Sequence, residues 1–341
     1  SIMDGYAVRD DESHIGAQFT GIGEAAAGHA YAGTIGAGQA LRIFTGAPVP
    51  TGATRVIIQE NVTRTGDVIT QTDVSRTTNI RGIGADFKIG DTVKAPRRLS
   101  ARDLALLASM NISEITVTRK PIVALIATGD ELVMPGETPK DAQIIASNTV
   151  GLAAMVETAG DIARMLPIAR DTEASLRHVL SLAQGADLIV TIGGASVGDH
   201  DIVGKVAMDM GLERAFYKVA MRPGKPLMAG KIDGSMMLGL PGNPVSSLVT
   251  AQLFMLPALY KMLGLGEAPL ATTPRPLAED LPANGPRAHY MRAITSERGV
   301  IPMHSQDSAL LRILSDSDAL IVRAPFAPAM SAGDLVDIIL L

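Results

Sequence analysis

The sequence contains no cysteine and no tryptophan among its 341 residues. Without thiols it cannot form a disulfide framework, a thiolate zinc site, an iron–sulfur cluster or a cysteine nucleophile. Its 6 histidines show no H-x-x-x-H spacing, so a zinc site of that kind has no support. A strongly basic domain is also lacking, since the formal net charge is -5. This balance disfavours a nucleic-acid-binding protein, and we expect no nucleic-acid partner.

Signals for membrane insertion or export are weak. Residues 235–260 carry no charge and are long enough to cross a bilayer, but glycine and proline interrupt the run at Gly239, Pro241 and Pro244. A buried core helix is the better interpretation. No signal peptide opens the chain, which starts at Ser1-Ile2-Met3-Asp4 as an interior start would. We predict no membrane association and a cytoplasmic location.

The chain has 34 glycines and 20 prolines, which predict many tight turns between short elements. Short apolar runs separated by such turns indicate a β-rich region before residue 98. Ser100-Ala101-Arg102-Asp103 then resembles a capping box with Asp in place of Glu, which predicts a helix through Leu104 and Leu107. This helix is expected to return the chain to a new domain.

From Pro121 onward, buried strands and helices alternate, which predicts a doubly wound sheet with ligands at the carboxyl ends of its strands. A Pro-rich stretch after Gly266 leads to a small β module. The predicted strands are 122–126, 163–168, 188–192, 236–240, 319–322 and 335–340. The predicted helices are one capped by Ser147 or Asn148 and stopped by Gly160, then 172–184, 201–210, and one that begins at Pro244.

The segment Leu240-Pro241-Gly242-Asn243-Pro244 stands where a buried strand ends and a helix begins. Asn243 is a favoured N-cap and Pro244 a favoured first helical residue. Free N–H groups at such a helix start can bind an anion. The same residues could equally build only a sharp turn. By itself, the segment leaves both interpretations open.

Three cations precede this turn in an otherwise acidic protein, namely Lys218, Arg222 and Lys225. In an extended chain Lys218 and Arg222 share one face, where they could hold phosphate or another oxyanion. The alternative is a solvated edge strand protected by cations. Their position close to the Pro-Gly-Asn-Pro turn favours anion binding.

Carboxylates follow two of the buried strands, with Glu131 after the first and Asp201 after the third. Such groups at one sheet edge can hold Mg²⁺, which prefers oxygen ligands. The same region contains Gly194-Ala195-Ser196-Val197-Gly198, which satisfies the G-x-S-x-G pattern of hydrolase nucleophile elbows. A serine hydrolase is disfavoured, because the downstream histidines lie in this loop or in the C-terminal β region. The better interpretation is that the glycines let the backbone approach a ligand closely.

Taken together, these motifs resemble the MoeA-like molybdopterin molybdenumtransferases, a family that includes the gephyrin E domain. The matching segments follow the family's order along the chain: Ser1-Ile2-Met3-Asp4-Gly5-Tyr6-Ala7-Val8, Thr45-Gly46-Ala47-Pro48, Gln59-Glu60, residues 81–86, Ala127-Thr128-Gly129-Asp130-Glu131-Leu132, Ser147-Asn148, Gly193-Gly194-Ala195-Ser196-Val197-Gly198-Asp199, Arg222-Pro223-Gly224-Lys225-Pro226 and Leu240-Pro241-Gly242-Asn243-Pro244.

The resemblance implies a multidomain α/β plus β protein. It would consist of an N-terminal β-rich domain at 1–98, whose first residues are part of the cleft, and a segment at 99–120 from a partial elongated linking domain. A MogA-like sheet domain at 121–266 and a small C-terminal β-barrel at 267–341 would follow. The family carries a further N-terminal segment before the Met-Asp-Gly-Tyr motif, which this sequence lacks.

The resemblance also implies the reaction, in which molybdate is inserted into adenylylated molybdopterin to give molybdenum cofactor and AMP, with Mg²⁺ as cofactor. Matching positions imply catalytic residues, which are Asp4, Asp86, Glu131, Asp201 and Lys218. Glu131 and Asp201 would hold the metal. Matching positions also imply substrate-binding residues, which are Thr45, Arg81, Asp171, Ser196, Arg222, Lys225, Pro241, Gly242, Asn243 and Pro244.

The family's assembly is a homodimer whose cleft lies between the sheet domain of one subunit and the β domain of the other. Molybdopterin adenylyltransferase and recipient molybdoenzymes are further expected partners. Some relatives carry Lys where Arg222 stands, which bears on oxyanion selectivity. Two other functions remain as alternatives, a gephyrin-like scaffold or binding module and the molybdopterin adenylyltransferase that acts one step earlier.

Overall fold

A computed structural model describes residues 1–194, 202–266 and 270–341 of the chain. They form two compact units, 1–95 and 96–341. The linking helix, the α/β part and the C-terminal part belong together to the second unit. The domain boundaries expected at residues 98, 120 and 266 stay predictions.

The first unit is built on a six-stranded mixed sheet. Its strands are β1 (Gly5–Val8), β2 (Gln18–Ala25), β3 (Gln39–Ile43), β4 (Arg55–Ile58), β5 (Val62–Thr65) and β6 (Val68–Gln71), and they lie in the order β4-β1-β3-β2-β6-β5. Tyr6 and Val8 face one apolar cluster and Ala7 faces another, because successive side chains of a strand alternate between the two faces. The β-rich region expected before residue 98 is therefore confirmed.

The second unit opens with the predicted helix α1 (Ala101–Ser109). Its capping box is present: Ser100 Oγ accepts a hydrogen bond from the Asp103 N–H at 3.3 Å, and Asp103 Oδ2 accepts one from the Ser100 N–H at 2.7 Å. Helices α2 (Ser147–Ala159), α3 (Glu173–Leu182), α4 (Ile202–Asp209), α5 (Pro244–Thr250), α6 (Leu256–Met262) and α7 (Leu311–Ser315) follow along the chain. A π-helical turn, Ala251–Met255, joins α5 to α6.

The α/β part of this unit has a six-stranded sheet covered by helices on both faces. Its strands are β7 (Ile122–Ala127), β10 (Ile162–Met165), β11 (Leu188–Ile192), β12 (Glu213–Tyr217), β14 (Met228–Ile232) and β15 (Ser235–Leu240), in the order β10-β7-β11-β15-β14-β12. The first four strands in this order are parallel. A pair of two-residue strands, β8 (Leu132–Val133) and β9 (Ile144–Ile145), forms a separate small sheet.

Burial on β7 explains why this sheet is doubly wound. Val123 and Leu125 pack with residues of α2 and α6, whereas Ala124 and Ile126 pack with residues of α3 and α4. A continuous apolar run is required when both faces of a strand are covered. The predicted doubly wound domain is thus confirmed.

The C-terminal part is a small barrel. Strands β16 (Thr272–Pro276), β17 (Ala288–Ser296), β18 (Gly299–Pro302), β19 (Ala319–Arg323) and β20 (Leu335–Leu340) pair in a path that a bridge between Leu277 and Val300 closes. A two-residue strand, β13 (Met221–Arg222), precedes the sheet strand β14 in the chain but pairs with β17. Leu320 and Ile339 on the outer face pack against Val245 and Val249 of α5, which fixes the barrel on the α/β part.

Two local expectations were wrong. Helix α2 has Ala146 at its N-cap with no side-chain capping bond, so neither Ser147 nor Asn148 caps it. Strand β10 ends at Met165, before the expected end at residue 168.

The uncharged run at 235–260 is β15 followed by a turn and the α5–α6 helical segment. Among the described residues, no helix has the length and apolar character needed to cross a membrane.

Candidate active site

A cleft of about 1090 Å³ lies at the carboxyl ends of the parallel strands of the second unit. The three central strands end at one level, because Ile192 is in register with both Ala127 and Leu240. The loops that follow these strands therefore open onto the same space, as expected for ligand sites in such sheets. Residues of the C-terminal barrel, including Arg287 and Ser308, complete the wall of the cleft.

The turn after β15 lines this cleft through Pro241, Gly242, Asn243 and Pro244, the residues expected to bind substrate. Asn243 occupies the N-cap of α5 and Pro244 the first helical position. The Asn243 side chain does not cap the helix and instead donates from Nδ2 to Ser308 Oγ at 3.0 Å.

The next backbone donor of this turn is also in use. The Val245 N–H donates to the Ser308 carbonyl at 3.1 Å. The N–H groups expected to be free for an anion are therefore partly committed to the barrel. The turn joins the two parts of the unit as well as shaping the cleft.

The acidic side of the cleft contains Glu131 and Asp171. Glu131 follows β7 in the loop 128–132, and Asp171 precedes α3, so the sheet brings together two carboxylates that are well separated in sequence. Asp130 Oδ1 accepts a hydrogen bond from the Asp171 N–H at 3.1 Å, which ties the two segments to each other. Asp201 and Ser196, also predicted for this site, lie outside the described residues.

The cationic side contains Arg222 and Lys225, but Lys218 is not among the residues that line the cleft. Lys218 has a positive φ of 71°, and β12 already ends at Tyr217, so the chain turns where an extended strand was expected. The Lys218 ammonium lies 5.0 Å from the centre of the Tyr217 ring, a cation–π distance. The prediction that Lys218 and Arg222 share a strand face was therefore wrong.

A group of basic residues from the barrel was not predicted from the sequence. Arg287 lines the cleft, and Arg222 on β13 is in register with His289 on β17. Arg292 on the same strand has no solvent exposure. Its Nη2 donates to the Asp307 carbonyl at 3.1 Å, whereas Nε and Nη1 have no hydrogen-bond partner in the described parts of the chain. The sequence shows these basic residues close together at 287–292. Only the pairing of β13 with β17 reveals that they lie beside Arg222.

The electrostatics of this group follow from burial and crowding of positive charge. Burial, followed by the charge of Arg222, lowers the pKa of Arg292 to about 10, although Asp307 opposes the shift. Burial, followed by Arg222 and three other arginines, lowers the pKa of His289 to about 4. At neutral pH His289 is therefore neutral, while Arg292 keeps a buried positive charge. Such a charge is stabilised by an anion placed beside it.

The remaining predicted residues, Asp4, Thr45, Arg81 and Asp86, lie in the first unit. Asp4 Oδ1 accepts hydrogen bonds from the Thr45 N–H at 2.7 Å and from the Thr45 hydroxyl at 2.8 Å. The backbone bond, followed by the hydroxyl bond, lowers the pKa of Asp4, so this carboxylate is ionised at neutral pH. Arg81 and Asp86 line a second cavity of about 330 Å³.

Family models match this chain in three consecutive segments. They are the MoeA N-terminal region (domain I and II) at residues 1–111, a probable molybdopterin binding domain at 124–261, and the MoeA C-terminal region (domain IV) at 274–341. A crystal structure of a molybdopterin biosynthesis MoeA protein from Pyrococcus horikosii has a TM-score of 0.83 and 29% identity, and the match covers 100% of this chain and 86% of that one.

Curated relatives agree with these matches. The molybdopterin molybdenumtransferase of Haemophilus influenzae is 37% identical over 268 residues, which is 77% of this chain and 66% of the relative. The one from Nostoc is 35% identical and matches 78% of this chain, which spans 64% of that relative's length. The one from Staphylococcus aureus is 30% identical over 352 residues, covering 100% of this chain and 84% of the relative. Because the similarity extends along the whole chain in sequence, domain order and structure, this chain belongs to the MoeA family of molybdopterin molybdenumtransferases.

Proposed function

We propose that the cleft of the second unit binds adenylylated molybdopterin and inserts molybdate into it, releasing AMP and molybdenum cofactor. The observation that carries this proposal is the separation of charge within one cleft. Glu131 and Asp171 follow β7 and β10 at one end of the sheet order, whereas Arg222 and Lys225 lie between β12 and β14 at the other end, and all four line the cleft together with Arg287 of the barrel. A ligand with a phosphoanhydride at one end and an incoming oxyanion at the other matches this arrangement.

The basic side supports an oxyanion site. Arg292 lies directly behind the cleft wall, since it bonds to Gln306 and Asp307, which both line the cleft. Its unpartnered nitrogens and the neighbouring Arg222 leave positive charge that a dianion would offset. Molybdate would bind to the exposed Arg222 by charge-assisted hydrogen bonds, whereas the fully buried Arg292 would contribute its charge from behind the wall. The chain has no cysteine, in keeping with a substrate that brings its own dithiolene sulfur.

The acidic side fits Mg²⁺, which is usually held by one or two carboxylates together with substrate phosphates. Among the described residues no cluster of three or more histidine, cysteine or acidic side chains could hold a metal by itself. Glu131 is exposed in the cleft and supplies the oxygen donor that the family implies, together with Asp201. Bound Mg²⁺ would offset charge on the phosphoanhydride and lower the pKa of a bound water.

The test is a reaction mixture of purified protein, adenylylated molybdopterin, molybdate and Mg²⁺, with AMP measured by chromatography. AMP release that requires all components supports the transferase. Absence of release would contradict it. Conversion of molybdopterin and ATP to the adenylylated form would then identify the earlier adenylyltransferase, and inactivity in both mixtures would favour a binding module.

Two substitutions assign the two sides of the cleft. Glu131→Gln should lower AMP release about 100-fold or more, because it removes a charged oxygen ligand. Glu173→Gln is the matched control, since Glu173 is an exposed glutamate that pairs with Arg177 on α3.

Arg222→Ala should raise the molybdate concentration needed for half-maximal rate, and Arg222→Lys should raise it less, since lysine keeps the charge without the planar fork.

We further propose a homodimer in which Asp4 and Asp86 of a second copy serve the same reaction. Support comes from the ionised, hydrogen-bonded state of Asp4 within the first unit. Mixing two inactive variants, Glu131→Gln and Asp86→Asn, should restore activity if each site draws on two copies. Mixtures that stay inactive would contradict shared sites. A cytoplasmic location and contacts with the adenylyltransferase and recipient molybdoenzymes are also part of the proposal.

A further inference from the structure

One guanidinium group bonds to three carbonyls of the loop 128–132, which carries Glu131. The Glu131 carbonyl itself accepts a hydrogen bond from the Ile144 N–H at 2.8 Å. Arg170 Nη1 donates to the backbone carbonyls of Gly129 at 3.3 Å, Asp130 at 3.1 Å and Leu132 at 3.0 Å. These carbonyls lie on both sides of Glu131 in the sequence. Because Nη1 carries two hydrogens, at least one of them is shared between two of the carbonyls.

Backbone bonds hold Arg170 itself beside the loop. Ala169, the preceding residue, forms a parallel bridge with Thr128 and accepts a hydrogen bond from the Gly129 N–H at 3.1 Å. Asp171, the following residue, donates its N–H to Asp130 Oδ1 at 3.1 Å. The segment 169–171 therefore binds the loop at several points, of which the Arg170 side chain contributes the bonds nearest Glu131.

The position of the Glu131 carboxylate depends on the backbone that Arg170 holds. Gly129 has φ of +147°, and a Cβ atom built there would lie 2.4 Å from Glu131 Oε2. The carboxylate therefore packs directly against the Gly129 backbone. Any shift of this backbone displaces the carboxylate, and a site that is misplaced by about 1 Å can lose about 100-fold in rate.

We propose that Arg170 is a positioning residue, which fixes the loop 128–132 so that Glu131 points into the cleft in one orientation relative to Asp171. The proposal rests on the proposed function of the cleft. Arg170 is not among the residues that line the cleft, so it acts through Glu131 and does not touch the ligand. It adds a residue that the sequence motifs did not single out.

The first experiment compares Arg170→Ala with the unmodified chain. Hydrogen exchange of a peptide that covers 128–134 should become faster, because the loop loses its side-chain clamp. The kcat of AMP release should fall about 10- to 100-fold, as for other groups that orient a metal-binding carboxylate. KM for adenylylated molybdopterin should change less than about twofold, since Arg170 is not among the residues that line the cleft. Arg177→Ala is the control, because Arg177 is an α3 arginine that pairs with Glu173 and Asp209.

The second experiment asks whether Arg170 acts through Glu131. Adding Arg170→Ala to Glu131→Gln should cause no further loss of rate, since there is no longer a carboxylate to orient. Arg170→Lys should recover part of the rate and of the exchange protection. An equal loss in both backgrounds, or normal rate and exchange in Arg170→Ala, would overturn the proposal. An unmodified chain that releases no AMP would contradict the proposed function instead, and unchanged loop exchange in Arg170→Ala would still overturn the positioning role.

Discussion

His289 makes the stability of this protein depend on pH in a way that can be measured. It is 8% exposed on β17, and its Nε2 has no hydrogen-bond partner in the described parts of the chain. Burial and the nearby charge of Arg222 lower its pKa from 6.5 to about 4. Between these values the unfolded chain binds a proton that the folded chain does not bind, so stability falls as the pH decreases.

The size of the effect follows from the shift. With a pKa of 6.5 in the unfolded chain and about 4 in the folded chain, lowering the pH from 7 to 5 costs about 2 kcal/mol of unfolding free energy. At pH 4 the loss reaches about 3 kcal/mol. His289→Gln removes the titrating group and keeps a polar side chain. When the pH is lowered from 7 to 5, the unfolding free energy of the variant should therefore rise by about 2 kcal/mol relative to that of the unmodified chain.

Urea unfolding followed by far-ultraviolet circular dichroism measures this difference, since the chain has no tryptophan for fluorescence. The quantity to compare is the free energy of unfolding of the variant minus that of the unmodified chain, at each pH. His304→Gln, at an exposed histidine of the same barrel, serves as the control. Its own free-energy difference from the unmodified chain should be the same at pH 7 and at pH 5. A difference between His289→Gln and the unmodified chain that stays constant from pH 7 to pH 5 would refute the reasoning.

Three further substitutions test local structure. Ser100→Ala removes the α1 capping box and should cost about 1 kcal/mol in urea unfolding, and an unchanged midpoint would contradict the cap. Gly224→Ala should lower the melting temperature more than Gly234→Ala does. Both glycines have positive φ, but only at Gly224 would a Cβ atom meet another side chain, Thr250 Cγ2 at 2.2 Å. Burial raises the pKa of Asp161, so Asp161→Asn should raise the melting temperature at pH 7, with the gain lost as the pH falls towards 3.8, and a lower melting temperature would contradict this.

The elements that sequence patterns predicted well are those whose signals are local. Strands β7 and β11 match the expected ranges within one residue, because an apolar run that is covered on both faces is visible in the sequence itself. Helix α1 follows its capping box for the same reason. The cap of α2 was missed, since Asn148 donates instead to the Gly242 carbonyl at 2.8 Å, a partner that is remote in the sequence.

The same division applies to the candidate site. Ordered motifs identified the family, and four of the residues that they singled out, Glu131, Asp171, Arg222 and Lys225, line one cleft. Their roles in the reaction stay predictions. The strand face expected for Lys218 and Arg222 is absent from this segment, because a single positive φ at Lys218 turns the chain and no pattern of residue types revealed it.

What the sequence determined by itself is the alternation of strands and helices, the family and the carboxyl-end location of the site, since each depends on residues that are near one another in the chain. The tertiary structure decided which distant groups meet there. Pairing of β13 with β17 places Arg222 beside His289, and the return of the chain before α3 places Arg170 against the Glu131 loop. Hydrogen-bond register between distant segments depends on the packed fold as a whole, so local composition does not encode it.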